Sequence, residues 1–413
     1  MTKSHSLSVL LLAILFMGAS AQDVADLNQR AKQALENGQA ADAVLYLESA
    51  AALKPDDSVL ARNLGYAYFK RGQAHYDAFA WDAALGDYRR AIVKVPDEVG
   101  YRLHLASLAL RLYRLDEALS ASRSAVKADP ENALAHQLLG DTLNLLDELP
   151  QAQVAYRKAQ ELGDDELAAR AAKALARTGR QYAVEKDYRT DVTSTFVIRH
   201  PGDTEFLELA ELLDRARAEV CNTFDEFPRN KAIVVLYPPE AFRAVTGAHD
   251  WVGGLFDRKI RLPVADPKLD GERIEASFRH EYTHLIMSEL SPRCPVYLNE
   301  GLAQLAEYGR GQGISRLVEY MEKSGIARQD LPRIEDLPES FLELGDSGQV
   351  HLGYLLSFAF VDHVVSQHGM GAAIRWVRAL EGQSPAEAYQ KAIGRTLQHE
   401  ETLFRELVRT ARG

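Results

Sequence analysis

Among 413 residues there are only two cysteines, Cys221 and Cys294. They close one disulfide at most, so no cross-linked framework holds this fold. A chain of this length needs none, because each of its domains can bury a full core. In an oxidising compartment the two thiols can pair; the alternative is two buried free cysteines. Clusters of lysine and arginine are missing too. There are 59 acidic residues against 48 basic ones, a formal net charge of −11. That balance favours solubility and makes nucleic acid an unsuitable partner. Beyond the N-terminus no apolar run approaches about 18 residues, so no further segment is expected to span a bilayer. The remaining composition, 46% hydrophobic and 26% charged, is that of an ordinary globular chain of two or three domains.

The N-terminus reads as a targeting segment. Lys3 supplies a positive start, Leu7 to Gly18 an apolar stretch of about a dozen residues, and Ala19-Ser20-Ala21 a small-residue cleavage pattern before Gln22. This predicts a signal peptide over residues 1–21 and an exported protein, periplasmic or secreted. No cysteine follows the apolar stretch, so no lipid anchor is indicated. An uncleaved anchor is the alternative.

The first half repeats itself. Ala84, Ala118 and Ala152 are spaced by 34 residues, as are Ala91, Ala125 and Ala159, and Pro96 precedes Pro130 by 34. Helical hairpins give such a pattern, with small residues where the two helices cross and a proline past the second helix. An earlier unit carries Ala43, Ala50 and Pro55, each 41 residues before its counterpart. Ala31, Gly65, Ala106 and Gly140 place the seven extra residues between Gly65 and Ala84. Seven residues are about two helical turns, so a lengthened hairpin keeps its faces in register. This region resembles the tetratricopeptide repeats over about residues 24–163, in four units, without the frequent tryptophan early in each. Asp164 to Thr178 is expected to cap the array. The resemblance implies a concave surface for a protein partner; a spacer is the alternative.

From Tyr188 the pattern changes. Asp191 to Ile198 reads as a strand closed by His200-Pro201-Gly202, and Glu205 to Phe224 as a helix. Ala232 to Tyr237 reads as a buried strand, and Lys259 to Val264 as an edge strand. Everything after Ile274 has helical character, so the order is strands first, helices after.

Within that helical run lies His280-Glu281-Tyr282-Thr283-His284. Histidines four apart share one helix face and can bind one zinc ion. Glu281 stands beside them as a general base for zinc-activated water. Pro292 and Pro295 interrupt the chain, and a second helix beginning near Val296 carries Glu300, sixteen positions after His284. A turn between two antiparallel helices can return Glu300 to the histidines. Two histidines and one glutamate leave an open fourth position, as catalytic zinc sites do.

HEYTH at 280–284 and NEGLA at 299–303 resemble the gluzincin metallopeptidases, in particular their peptidase-MA-like branch, over about residues 190–413. The resemblance implies Glu300 as third ligand and an upstream substrate-binding edge strand, here Trp251 to Val264, with Gly253 and Gly254 permitting close backbone approach. It further implies a polar partner one turn past the third ligand, Gln304, and an oxyanion-directed tyrosine, Tyr354. His351 and His363 are weaker candidates, read more simply as structural residues. Metzincins need a third histidine after the motif, which LIMSELSPRC does not supply.

The expected protein is multidomain. An all-α repeat solenoid with its cap covers residues 22–179, a linker 180–190, and an α+β zinc metallopeptidase domain 191–413. It would hold one Zn²⁺ on His280, His284 and Glu300 and hydrolyse a peptide or protein substrate. The rival is a non-enzymatic envelope scaffold that uses a zinc-binding pseudopeptidase domain; a zinc hydrolase acting on a non-protein amide is a further alternative.

Overall fold

A computed structural model describes residues 21–202, 206–228, 231–247, 254–265 and 270–411. Residues 1–20 of the expected signal segment, and Trp251 to Gly253 of the expected substrate strand, lie outside them. Among the described residues no helix is long and apolar enough to cross a membrane. The chain divides into two compact units, Met1–Leu175 and Ala176–Gly413.

The first unit is four helical hairpins: α1 (Ala21–Glu36) with α2 (Ala40–Leu53), α3 (Ser58–Asp77) with α4 (Trp81–Lys94), α5 (Val99–Arg111) with α6 (Leu115–Ala128), and α7 (Ala133–Leu145) with α8 (Leu149–Leu162). The periodic alanines at 43, 50, 84, 91, 118, 125, 152 and 159 all have no exposed surface. A larger side chain there would push the paired helices apart. Gly38, Phe79, Tyr113 and Asp147 have positive φ, between 56° and 74°, and follow the same 41, 34, 34 spacing. Each closes its hairpin in a left-handed turn. The next amide then bonds back over five residues, as from Arg114 N–H to Ala109 O at 2.8 Å.

Only one helix absorbs the insertion. Helix α3 has 20 residues where α5 and α7 have 13, whereas α2, α4, α6 and α8 all have 14. Of the expected lengthened hairpin, the first helix carries the added turns. A Cβ on Gly65 would lie 2.5 Å from Val95, and one on Gly72 2.7 Å from Tyr88, so both glycines face α4. Two turns separate them, which keeps them on one face and narrows the insertion to the stretch between them.

Helix α9 (Asp165–Glu185) runs further than the expected cap, and the unit boundary falls inside it. Residues 180–185 are therefore helix rather than linker. The reason is Glu185, whose fully buried carboxylate accepts from Arg199 at 2.8 Å and Arg261 at 3.1 Å.

Among its described residues the second unit holds a five-stranded sheet in the order β1-β2-β3-β5-β4. The strands are β1 (Arg189–Val192), β2 (Phe196–His200), β3 (Ala232–Tyr237), β4 (Leu255–Phe256) and β5 (Ile260–Pro263). β2, β3 and β5 run parallel, and antiparallel β1 and β4 form the edges. The single strand expected over 191–198 is instead a hairpin. Thr193 Oγ1 accepts from the Thr195 and Phe196 amides and bends the chain there. β5 is likewise an inner strand, not an edge. Its alternating Lys259 and Arg261 look solvent-facing in sequence but are each only 2% exposed, and Arg261 is held by Glu185 and Asp257. β3 is apolar almost throughout, as an inner parallel strand must be.

The helices are α10 (Phe206–Phe224), α11 (Pro239–Thr246), α12 (Gly271–Leu290), α13 (Val296–Tyr308), α14 (Gly313–Ser324), α15 (Ser347–His368), α16 (Met370–Ala379), α17 (Pro385–Ile393) and α18 (Leu397–Thr410). Phe278 and Tyr282 of α12 share one core with the sheet residues Phe196 and Val234 and with Phe358 and Phe360 of α15. Cys221 and Cys294 are both free thiols.

Candidate metal centre

Helix α12 carries His280, Glu281 and His284. Its inner face (Ile274, Phe278, Tyr282, Ile286) follows a helical period and is buried, which fixes the rotation of the helix. The two imidazoles fall one turn apart with ring centroids 4.9 Å from each other. Pro295, which needs no amide partner, then opens α13. Gly301 lets α13 press against α15, since a Cβ there would lie 2.4 Å from Val361 and 2.5 Å from the Ser357 carbonyl.

This packing brings Glu300 to the histidines. Its Oε2 lies 3.5 Å from His280 Nε2 and 3.6 Å from His284 Nε2. One ligand atom from each residue fits within 4.8 Å of the others. The outer ring nitrogens are occupied: His280 Nδ1 meets Glu307 Oε2 at 2.8 Å, and His284 Nδ1 meets Asn299 Oδ1 at 3.0 Å. Carboxylate and amide oxygens accept, so each Nδ1 donates and each neutral Nε2 keeps its lone pair. Both lone pairs converge on Glu300 Oε2, which is buried and has no hydrogen-bond partner among the described residues. Three acceptors meeting without a donor repel one another, and a cation resolves the conflict. Donors at about 2.1 Å from a tetrahedral zinc would be about 3.4 Å apart. The donor set, its spacing and the orphaned oxygen all fit that ion.

The electrostatics show the same conflict as a pull for positive charge, which a proton or a metal ion can answer. Burial alone would lower the His280 pKa, but the Glu300 and Glu307 carboxylates beside it outweigh burial and push it well above the usual histidine value. Burial alone would raise Glu300, yet His284 and His280 hold it below the usual carboxylate range. The pocket favours positive charge between these groups. Glu281 behaves differently: burial raises its pKa, and the nearby histidines only partly offset this. A carboxyl moved upward in this way is suited to accept a proton.

The other expected site residues divide. The Tyr354 phenol is pushed upward by burial and then by Glu300 and Glu281, so it lies within electrostatic reach of both. Gln304 does not serve the histidines. Its amide donates to the Tyr354 carbonyl at 2.9 Å, tying α13 to α15. The expectation of a polar partner one turn past Glu300 is corrected to Glu307, two turns past, together with Asn299. Both stand in the sequence at helical positions consistent with these roles: Glu307 shares a face with Glu300, and Asn299 precedes it. At Gly254, expected to admit a substrate backbone, an added Cβ would meet Glu281 Cγ at 2.7 Å. His351 is exposed and edge-on to Tyr320 at 4.7 Å. His363 is buried against Glu400 at 2.9 Å. Neither joins the triad.

No family model matches this chain, and no curated protein matches it. Among solved structures, MamA from Desulfovibrio magneticus RS-1, residues 41 to its end, is 18% identical. It covers 39% of this chain and 86% of its own at a TM-score of 0.31. TTC0263, a thermophilic TPR protein from Thermus thermophilus, is 20% identical over 50% of this chain and 93% of its own, at 0.24. A tetratricopeptide repeat protein from Parabacteroides merdae is 14% identical over 74% of this chain and 94% of its own, at 0.35. These are loose likenesses to repeat proteins, and they do not bear on the chemistry of the second unit.

Proposed function

We propose that the protein is a zinc-dependent metallopeptidase of the gluzincin type, with repeats that recruit its substrate or a partner protein. The observation that carries this reading is the convergence of His280 Nε2 and His284 Nε2 on the unpartnered Glu300 Oε2. Zinc bound there would supply Lewis-acid polarisation of the scissile carbonyl and of water. The chain supplies the rest. Glu307 and Asn299 orient the two imidazoles. Glu281 takes a proton from the attacking water and returns it to the leaving amine. Tyr354 donates its phenolic hydrogen to the oxyanion developing on the substrate.

A second reading is a partner-binding scaffold whose zinc domain no longer turns over. The hairpin array supports it, because paired-helix repeats commonly present protein-binding surfaces. The buried base Glu281 beside the triad favours the enzyme.

Metal analysis and cleavage of a diverse peptide library by the purified protein separate the two. The enzyme binds one zinc and cleaves peptides, while Glu281→Gln keeps the zinc and loses at least about 100-fold in turnover. Zinc binding without cleavage of any peptide favours the scaffold. Absence of bound zinc rejects both readings.

A further inference from the structure

The edge of the sheet touches the expected base. A Cβ built on Gly254 would lie 2.7 Å from Glu281 Cγ and 2.9 Å from its Oε1. Real Cβ atoms do not approach carbon so closely, so one side must yield. Ten of the described glycines, among them those at 38, 247, 309 and 325, have positive φ. Gly254 does not have one. What this glycine provides beside Glu281 is space.

Which side would yield follows from what holds each. β4 pairs with β5 through Leu255–Arg261 and Phe256–Ile260. The turn between them is fastened at Asp257, which accepts from Arg261 at 2.9 Å and pairs with Arg177 of α9. Arg261 is in turn fixed by buried Glu185 and Tyr237. The hairpin is therefore anchored at its closed end by a buried ionic network. Glu281 is a single side chain with rotatable bonds, 7% exposed.

We propose that Gly254 is a positioning residue for the base. The bare backbone at this point forms the wall against which Glu281 rests, and any side chain there displaces the Glu281 carboxylate while leaving the three metal ligands in place. The catalytic consequence rests on the metallopeptidase reading; the contact itself does not. It also makes Gly254 distinct from a residue that only binds substrate, whose replacement would move KM.

The test is Gly254→Ala with two independent readouts. In zinc-loaded protein, kcat is expected to fall about 100-fold, as for a catalytic group misplaced by about 1 Å, with KM within about threefold and zinc stoichiometry unchanged. A kcat within about threefold of wild type overturns the proposal, and so does a loss confined to KM. The second readout needs no activity. Gly254→Ala is introduced with Glu281 intact and again together with Glu281→Ala, and Tm is measured for all four proteins. A loss of about 3 °C with Glu281 present that vanishes with Glu281→Ala supports the contact. Equal shifts in both backgrounds overturn it. If the wild type cleaves nothing, the peptidase reading fails, while the Tm cycle still decides whether Gly254 and Glu281 are coupled.

Discussion

Residues of the same type at the metal centre differ in what holds them. Each histidine is fixed at two points, by its place on α12 and by a donor bond from Nδ1. Glu307 brings a full negative charge to His280, whereas Asn299 offers His284 a neutral oxygen. His280 thus depends more on its partner. Glu307→Gln is expected to weaken zinc binding about 10–100-fold in a competition titration with a chromophoric chelator. Gln304→Ala should stay within about threefold, because that amide faces the Tyr354 carbonyl instead. Equal losses in the two variants would contradict this assignment. In sequence, His280 and His284 are legible because helical periodicity puts them on one face, and Glu300 through the resemblance of NEGLA to the gluzincins. The choice between 304 and 307 is not legible, since both lie on the side of α13 near Glu300 and only packing against α12 and α15 separates them.

At the scale of elements, two buried ionic clusters hold the second unit together. One ends α9: Glu185 with Arg199, Arg261 and Tyr237. Removing this charge leaves buried Arg261 with Asp257 alone and takes a partner from half-buried Arg199, so Glu185→Ala should cost about 3–5 kcal/mol in urea unfolding. A cost below about 1 kcal/mol would mean that the cluster contributes little. The other joins α15 to α18: Glu400 accepts from His363 at 2.9 Å and His368 at 3.0 Å. Burial pushes His363 below its usual value against the pull of Glu400. A histidine kept neutral in the fold stabilises it fully above the unfolded value of 6.5, and that contribution is lost as pH falls toward its lowered folded value. For Glu400, burial acts upward, but His368, Tyr389 and His363 together hold it below the usual range, so its contribution is lost only at lower pH. Tm is expected to fall as pH drops from 7 to 5, and His363→Gln should flatten that slope. A slope unchanged by the substitution would remove His363 from the account.

For the whole molecule, the consequential boundary is the one inside α9. Sequence pattern ends the repeats near residue 179 and suggests a linker, because the stretch after it loses the 34-residue spacing. The last turns of α9 instead supply Arg177, Arg180 and Glu185 to the sheet-bearing unit. A chain beginning at Asp165 should therefore fold and bind zinc. One beginning at Lys186 should lack cooperative unfolding, because Arg261 and Arg199 lose their buried counter-charge. Circular dichroism melts and metal content of the two chains check this, and equal stability would show that α9 is dispensable.

By itself the sequence determined what is local and periodic. The hairpins follow from small residues every 34 positions, the ends of α12 and α13 from Pro292 and Pro295, and the two histidine donors from helical spacing. Tertiary structure decided what depends on neighbours far along the chain. It made β5 an inner strand by adding β4 beside it, and it turned one expected strand into a hairpin at Thr193. It chose Glu307 over Gln304 as the partner of His280, and it set Gly254 against Glu281. The physical reason is the same in each case: a residue's own pattern records which face of its element it occupies, while its contacts record what the rest of the chain packs against that face.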